Sequence, residues 1–274
     1  MMPLKWLNHK KKVYPNSFHS NKVLLLSIAP RLKLPCPKDG IVIKQQLYYK
    51  LSIKTTIGLQ ANHTISLQLA IKRIFDLCAS TILLVVLLPL FILIAIAIKL
   101  DSPGPVFFKQ VRVGHFQRRF PCYKFRSMKI GSHDTEHEKF IEQLMTKDAV
   151  DDKANSYIYK ITNDNRITKV GRILRKLSLD ELPQLLNILK GEMSLVGPRP
   201  AIGYELKYHD ENMLRRFFAK PGITGYWQVN SRYSVDYREM VAMDLFYVDH
   251  WSLLLDLRIV LNTVPVLLKI TRSF

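Results

Sequence analysis

The chain has 274 residues and carries 41 Lys and Arg against 22 Asp and Glu, a formal charge of +19. That excess favours polyanionic partners, whether nucleic acid, anionic lipid or a phosphorylated substrate. Its three cysteines, Cys36, Cys78 and Cys122, are an odd number without metal-ligand spacing, so neither a disulfide framework nor a zinc site is indicated.

Residues 1–70 are basic, mixed and aperiodic. Thirteen Lys and Arg fall in residues 1–75 against one acid, Asp39. Such a segment lies on anionic headgroups or forms a poorly ordered tail. The short apolar stretch Val23–Ala29 has no small-residue cleavage site after it and is too short to span a bilayer.

Leu77–Ile98 is a run of 22 uncharged residues. Its length suits a spanning helix. Pro89, near the middle, removes one helical hydrogen bond and should bend the run. Lys72 and Arg73 precede it, and Lys99, Lys109, Arg112, Arg118, Arg119, Lys124 and Arg126 follow it. Lys and Arg mark the cytoplasmic side. With both ends marked, a helix–break–helix hairpin over residues 71–99 that re-enters its own side is favoured over one straight span.

Residues 100–274 read as a small, α-rich α/β domain. Val106–Val113 and Phe120–Met128 have strand composition, with a turn at Gly114–Gln117. Thr135–Thr146 reads as a surface helix. Arg172–Leu189 has apolar residues at helical spacing. Val235–Val248 and Trp251–Lys269 read as two more helices, the last lying in the membrane interface or packed on the domain. No GxxxxGK[ST] loop, HExxH or strand–GxGxxG–helix unit is present.

Ser178-Leu179-Asp180-Glu181-Leu182-Pro183 opens a helix. Either Ser178 and Glu181 form a capping box, or Asp180 is the N-cap with Pro183 in the first turn. Both registers place two carboxylates at a helix N-terminus, where the dipole favours their charged forms. They are then either caps, or a nucleophile beside a metal ligand, since carboxylates form acyl phosphates and adjacent carboxylates suit Mg²⁺. Arg172, Arg175, Lys176 and Arg199 lie near them in sequence, and Lys124 and Arg126 lie on the second strand, a set of cations suited to a diphosphate. The stretch 220–230, KPGITGYWQVN, is either a nucleobase site or a tight turn, and spacing does not separate the two.

Residues from about Lys72 to the C-terminus resemble the bacterial sugar transferases, the monotopic polyprenol-phosphate phosphoglycosyl transferases. The similarity lies in KRIFD (72–76), QVRVG (110–114), CYKFRSM (122–128), RITKVGRILRKLSLDELPQLLNILKGEMSLVGPRP (166–200), KPGITGYWQVNSR (220–232) and MDLFYV (243–248). The resemblance implies that Asp180 attacks the β-phosphate of a UDP-sugar, that UMP leaves, and that undecaprenyl phosphate then takes the phosphosugar. It implies Mg²⁺ held by Glu181 with Asp180. It makes Lys124, Arg126, Arg175, Arg199, Arg232 and Asp244 the substrate-binding set and Pro89 the membrane kink. The implied partners are a UDP-sugar, undecaprenyl phosphate and membrane lipid, with a second copy of the chain as a candidate. Nucleic acid is disfavoured by the uncharged run. The implied place is the bacterial inner membrane, with the active site on its cytoplasmic face, in exopolysaccharide, capsule or O-antigen assembly. Two positions depart from common family usage: Leu88, where some members carry Ser, and Ser231, where Gly is frequent.

Overall fold

The computed structural model describes residues 59–129, 166–230 and 237–267. The helix expected at Thr135–Thr146, and Arg232, lie outside them.

The apolar run divides into α1 (Leu59–Val86) and α2 (Leu88–Asp101). Their axes are bent by 60° at Leu87, and no single described helix is long and apolar enough to cross a membrane. The break follows from proline. Pro89 sits in the first turn of α2, where its missing N–H has no helical partner to lose. Leu87 closes α1 by donating to the Leu83 carbonyl at 2.9 Å, and the Leu87 carbonyl starts α2 by accepting from Phe91 at 2.9 Å.

Next comes the hairpin of β1 (Phe107–Val113) and β2 (Arg119–Phe125), paired antiparallel from Phe107↔Phe125 to Val113↔Arg119. Its connection is a short 3-10 turn in which Phe116 and Gln117 take positive φ, 52° and 58°. The expected hairpin is present, with its second strand ending at Phe125 rather than Met128. The region expected to be helical over Arg172–Leu189 is three pieces: α3 (Lys169–Leu177), a 3-10 helix Leu179–Gln184, and α4 (Leu185–Lys190).

Then β3 (Ser194–Val196), β4 (Ala201–Ile202), two 3-10 helices (Gly203–Tyr208 and Met213–Phe218), β5 (Gly222–Thr224), α5 (Tyr226–Asn230), α6 (Tyr237–Asp249) and α7 (Leu253–Leu267) complete the domain. Strand β4 joins the hairpin to give the order β2-β1-β4, and β3 pairs with β5 in parallel. α3 fits because Gly171 has no side chain, since a Cβ there would lie 2.1 Å from the Ser127 carbonyl oxygen.

Two apolar clusters fix the hairpin. Phe125 packs with Leu174 of α3, Ile94 and Ile98 of α2, and Leu179 and Leu182 of the 179–184 helix. Phe120 and Cys122 pack with Leu185 and Ile188 of α4 and with Met193. The middle of β2 is therefore wedged between the apolar helix and the segment that carries Asp180 and Glu181. Both flanks of the uncharged run are also held by the same domain. Asp101 at the end of α2 accepts from the Val170 amide at 3.0 Å. Near the middle of α1, Arg73 donates to the carbonyls of Ile188 (2.6 Å) and Leu189 (3.0 Å).

Candidate active site

Helix α3 stops because Ser178 adopts the left-handed conformation, φ 58° and ψ 20°, a region that L-residues enter at a cost of about 1–2 kcal/mol. The chain restarts at once as the 179–184 helix. Ser178 makes no side-chain cap bond, so neither the capping box nor the Asp180 cap forms. Both carboxylates instead occupy the first turn. The left-handed serine replaces the cap as the device that aims them. Both lie at the start of that helix, where the sequence reading puts them.

Glu181 meets the hairpin. Lys124 Nζ donates to its Oε1 at 2.8 Å, with the side chains 21% and 37% exposed. The pair is reachable by a water-borne ligand. Cys122 lies beneath, 1% exposed. Burial pushes its thiol pKa up, while Lys124, Arg112 and Arg199 pull it down and Glu181 adds to the rise. Glu181, Lys124, Arg112 and Arg199 thus all act electrostatically on one buried thiol. Arg175 lies in the last turn of α3, half-buried, three residues before Ser178.

Arg199 is braced from behind. Its Nη1 lies 3.3 Å from Oε1 of Glu205, a fully buried carboxylate. Glu205 Oε2 accepts from the Ile202 amide (3.1 Å) and from Tyr237 Oη (3.4 Å). His209 joins through Tyr237 Oη at 3.3 Å and the Glu205 carbonyl at 2.8 Å. Arg216 donates to the Arg199 carbonyl at 2.9 Å and, by the same nitrogen, to Asp244. Burial pushes Asp244 up to about 6, against the pull of Arg216 and of the Arg199 backbone amide.

Two residues of the expected substrate-binding set, Asp244 and Arg126, are buried. Asp244 is 0% exposed and acts on Arg216 and the Arg199 backbone. Its place is behind the site, where it holds Arg199. Arg126 is 5% exposed and donates to the carbonyls of Ser102 (2.6 Å), Pro103 (2.9 Å) and Ile98 (3.3 Å), closing the C-terminus of α2. Glu205, Arg216, Tyr237 and His209 had no signal in spacing, because their relation is purely tertiary.

The glycines at 197 and 222 have a structural use. A Cβ on Gly222 would lie 2.1 Å from the Gly197 amide nitrogen, and one on Gly197 would lie 2.2 Å from the Lys220 carbonyl oxygen. They let the 197–200 and 220–225 segments touch backbone to backbone, and the centre of KPGITG is strand β5 beside β3 in place of a tight turn. Asp180 and Glu181 are an adjacent, half-exposed pair, and no group of three or more ligating side chains occurs among the described residues. That donor set fits an ion such as Mg²⁺, which takes one or two carboxylates and completes its shell with water and substrate phosphate.

The bacterial sugar transferase family matches residues 67–270, which include every element around this site. The chain belongs to that family. It is 42% identical over 199 residues to the undecaprenyl-phosphate galactose phosphotransferase of Salmonella typhimurium, covering 73% of this chain and 40% of that protein. It is 44% identical over 194 residues to the exopolysaccharide production protein ExoY of Rhizobium meliloti, covering 71% and 84%. The undecaprenyl-phosphate glucose phosphotransferase of Komagataeibacter xylinus is 43% identical over 204 residues, covering 70% and 35%. The chain thus spans less than half the length of the two named phosphotransferases and most of the length of ExoY. The shared family region carries the hairpin, the 179–184 helix and the braced Arg199.

Proposed function

We propose that this sugar transferase moves a hexose 1-phosphate from a UDP-sugar to undecaprenyl phosphate, releasing UMP, as the first step of exopolysaccharide, capsule or O-antigen assembly. The observation that carries the reading is the first turn of the 179–184 helix, with Glu181 paired to Lys124 and the helix packed against the apolar α2. In this reading a carboxylate oxygen of Asp180 attacks the β-phosphorus. The bond between that phosphorus and the oxygen bridging the two phosphates breaks, and UMP leaves with the electron pair. An oxygen of the lipid phosphate then attacks the same phosphorus and displaces the carboxylate. Lys124, Arg175 and Arg199 hold phosphate oxygens. Mg²⁺, held by Glu181 and Asp180, would stabilise charge on the diphosphate. The named phosphotransferase relatives support the reaction class, and galactose or glucose is the sugar they suggest.

We further infer that the α1–α2 pair enters and leaves a membrane on one side, the cytoplasmic one. Ile82, Val85, Val86, Leu88, Ile92, Leu93 and Ile96 are all more than half exposed, a surface that needs an apolar cover. Both flanks of the uncharged run, at Arg73 and at Asp101, are bonded to one domain, which supports re-entry more directly than the flanking charges do. Lys72, Arg73, Arg112 and Arg126 turn out to be engaged in internal bonds.

Purified protein in detergent with Mg²⁺, undecaprenyl phosphate and a panel of UDP-hexoses should release UMP. Asp180→Asn should release none, and wild type without acceptor should gain the mass of a hexose phosphate. Release of UDP in place of UMP would identify a plain glycosyl transferase and end this proposal.

A further inference from the structure

One stretch of α1 holds both halves of the candidate site. Arg73 donates to the carbonyls of Ile188 and Leu189 at 2.6 and 3.0 Å, the last turn of the helix continuing from Asp180 and Glu181. Three residues on, Asp76 is 3% exposed and its Oδ1 accepts from the Leu195 amide at 2.9 Å. Lys72 donates to the Val196 carbonyl at 3.0 Å, three residues before Arg199. Lys72 is itself held by Asp256 at 2.6 Å, a carboxylate that also accepts from Tyr247 Oη (2.7 Å) and Trp251 Nε1 (3.1 Å). All these bonds lie just before the uncharged run begins, and α1 continues unbroken from there to Val86.

A charged side chain buried with several backbone partners fixes position more than it adds stability. Here three charged side chains on adjacent turns of the helix, Asp76 buried and Lys72 and Arg73 partly buried, are tied to α4 and β3, the helix and strand that adjoin in sequence the segments of Asp180 and Arg199. We propose that Lys72, Arg73 and Asp76 are positioning residues that set the height of the Asp180 and Arg199 segments relative to the apolar helix pair. They would therefore serve the second displacement, from lipid phosphate, and not the first. The inference rests on the function proposed above. A water-borne donor reaches the site at any height, whereas a phosphate fixed at headgroup depth meets Asp180 only if the domain sits at the matching level. A misplacement of about 1 Å can cost roughly a hundredfold in rate.

The test uses the full chain in liposomes of phosphatidylethanolamine and phosphatidylglycerol carrying undecaprenyl phosphate. Three quantities are measured for wild type, Arg73→Lys and Asp76→Asn. These are the UMP burst without acceptor, turnover with a short water-soluble prenyl phosphate, and kcat/KM for undecaprenyl phosphate in the bilayer. The first two should stay within about twofold of wild type and the third should fall at least about tenfold. The burst doubles as a check that each variant is folded at the site, and Lys72→Met decides the matter if Asp76→Asn is insoluble. Equal loss of all three quantities would reduce these residues to general structural support and overturn the proposal. So would wild-type behaviour throughout. A wild type that gives no UMP burst would instead sink the proposed function, so the two failures are distinguishable.

Discussion

Arg216 and Asp244 meet with side chains 0% and 1% exposed. Removing one partner strands the other charge in a dry interior, a loss of about 3–5 kcal/mol, whereas replacing both by apolar groups of similar volume is often neutral. Arg216→Met alone should therefore lower the denaturation midpoint sharply, and Arg216→Met with Asp244→Leu should recover most of it. The double variant should nevertheless lose activity, because the Arg199 carbonyl and amide lose their brace. Thermal melts beside UMP release separate the two effects. Lys124–Glu181 is different in kind, since both side chains are partly exposed and the pair adds little to stability. Its worth lies in holding a carboxylate and an ammonium where a diphosphate could meet both.

At the scale of elements, the break at Leu87 depends on one ring. In Pro89→Ala the residue regains an N–H that can donate to the Val85 carbonyl, so α1 and α2 can join as one apolar helix. Such a helix would be long enough to span a bilayer. Cysteine labelling in oriented vesicles, with reporters placed at Ile71 and Lys99, should find both sites on one side in the Pro89 protein. Pro89→Ala should move a fraction of Lys99 reporters to the other side. Leu88 offers no hydroxyl to the freed carbonyls, so the bend here rests on proline and on the two ends being held by the domain. The site helix is bent by another means, the left-handed Ser178. Each break sits where an element passes from one packing partner to another.

For the whole molecule, acid is the natural stress. His115 Nε2 donates a hydrogen bond to the Phe218 carbonyl at 3.1 Å, and burial pushes its pKa down to about 4, with Lys220 and Arg118 adding to the fall. His209 is shifted the same way, by burial and then by Arg216. A histidine with a lowered native pKa binds fewer protons folded than unfolded. Its contribution to stability is therefore present above about pH 6.5 and is lost as the pH falls toward 4. For His115 the loss is roughly 2 kcal/mol after allowing for its partial exposure. His115→Gln should flatten the dependence of the melting temperature on pH over that window. An unchanged slope would mean that other groups govern acid sensitivity. The same scale explains why so much apolar side chain remains uncovered on the domain. Leu254, Leu257, Leu261 and Val264 of α7 are all at least half exposed and spaced along one face, while Ile259 packs on the domain with Val196 and Tyr247.

The sequence alone determined the elements whose signals are local. Chain periodicity marked the hairpin and helices, Pro89 marked the break, and Asp180-Glu181-Leu182-Pro183 marked a helix start with two carboxylates. The motif blocks were dense enough to identify the family. What only the tertiary structure decided was the use of each charge. Lys72 and Arg73 read as topology markers and also make internal ties, Arg126 and Asp244 are buried among backbone and Arg216 partners that spacing did not indicate, and Glu205 and Arg216 gave no signal at all. The physical reason is that the role of a charge depends on its burial and partners. Those are set by residues tens of positions away, which neither periodicity nor spacing encodes.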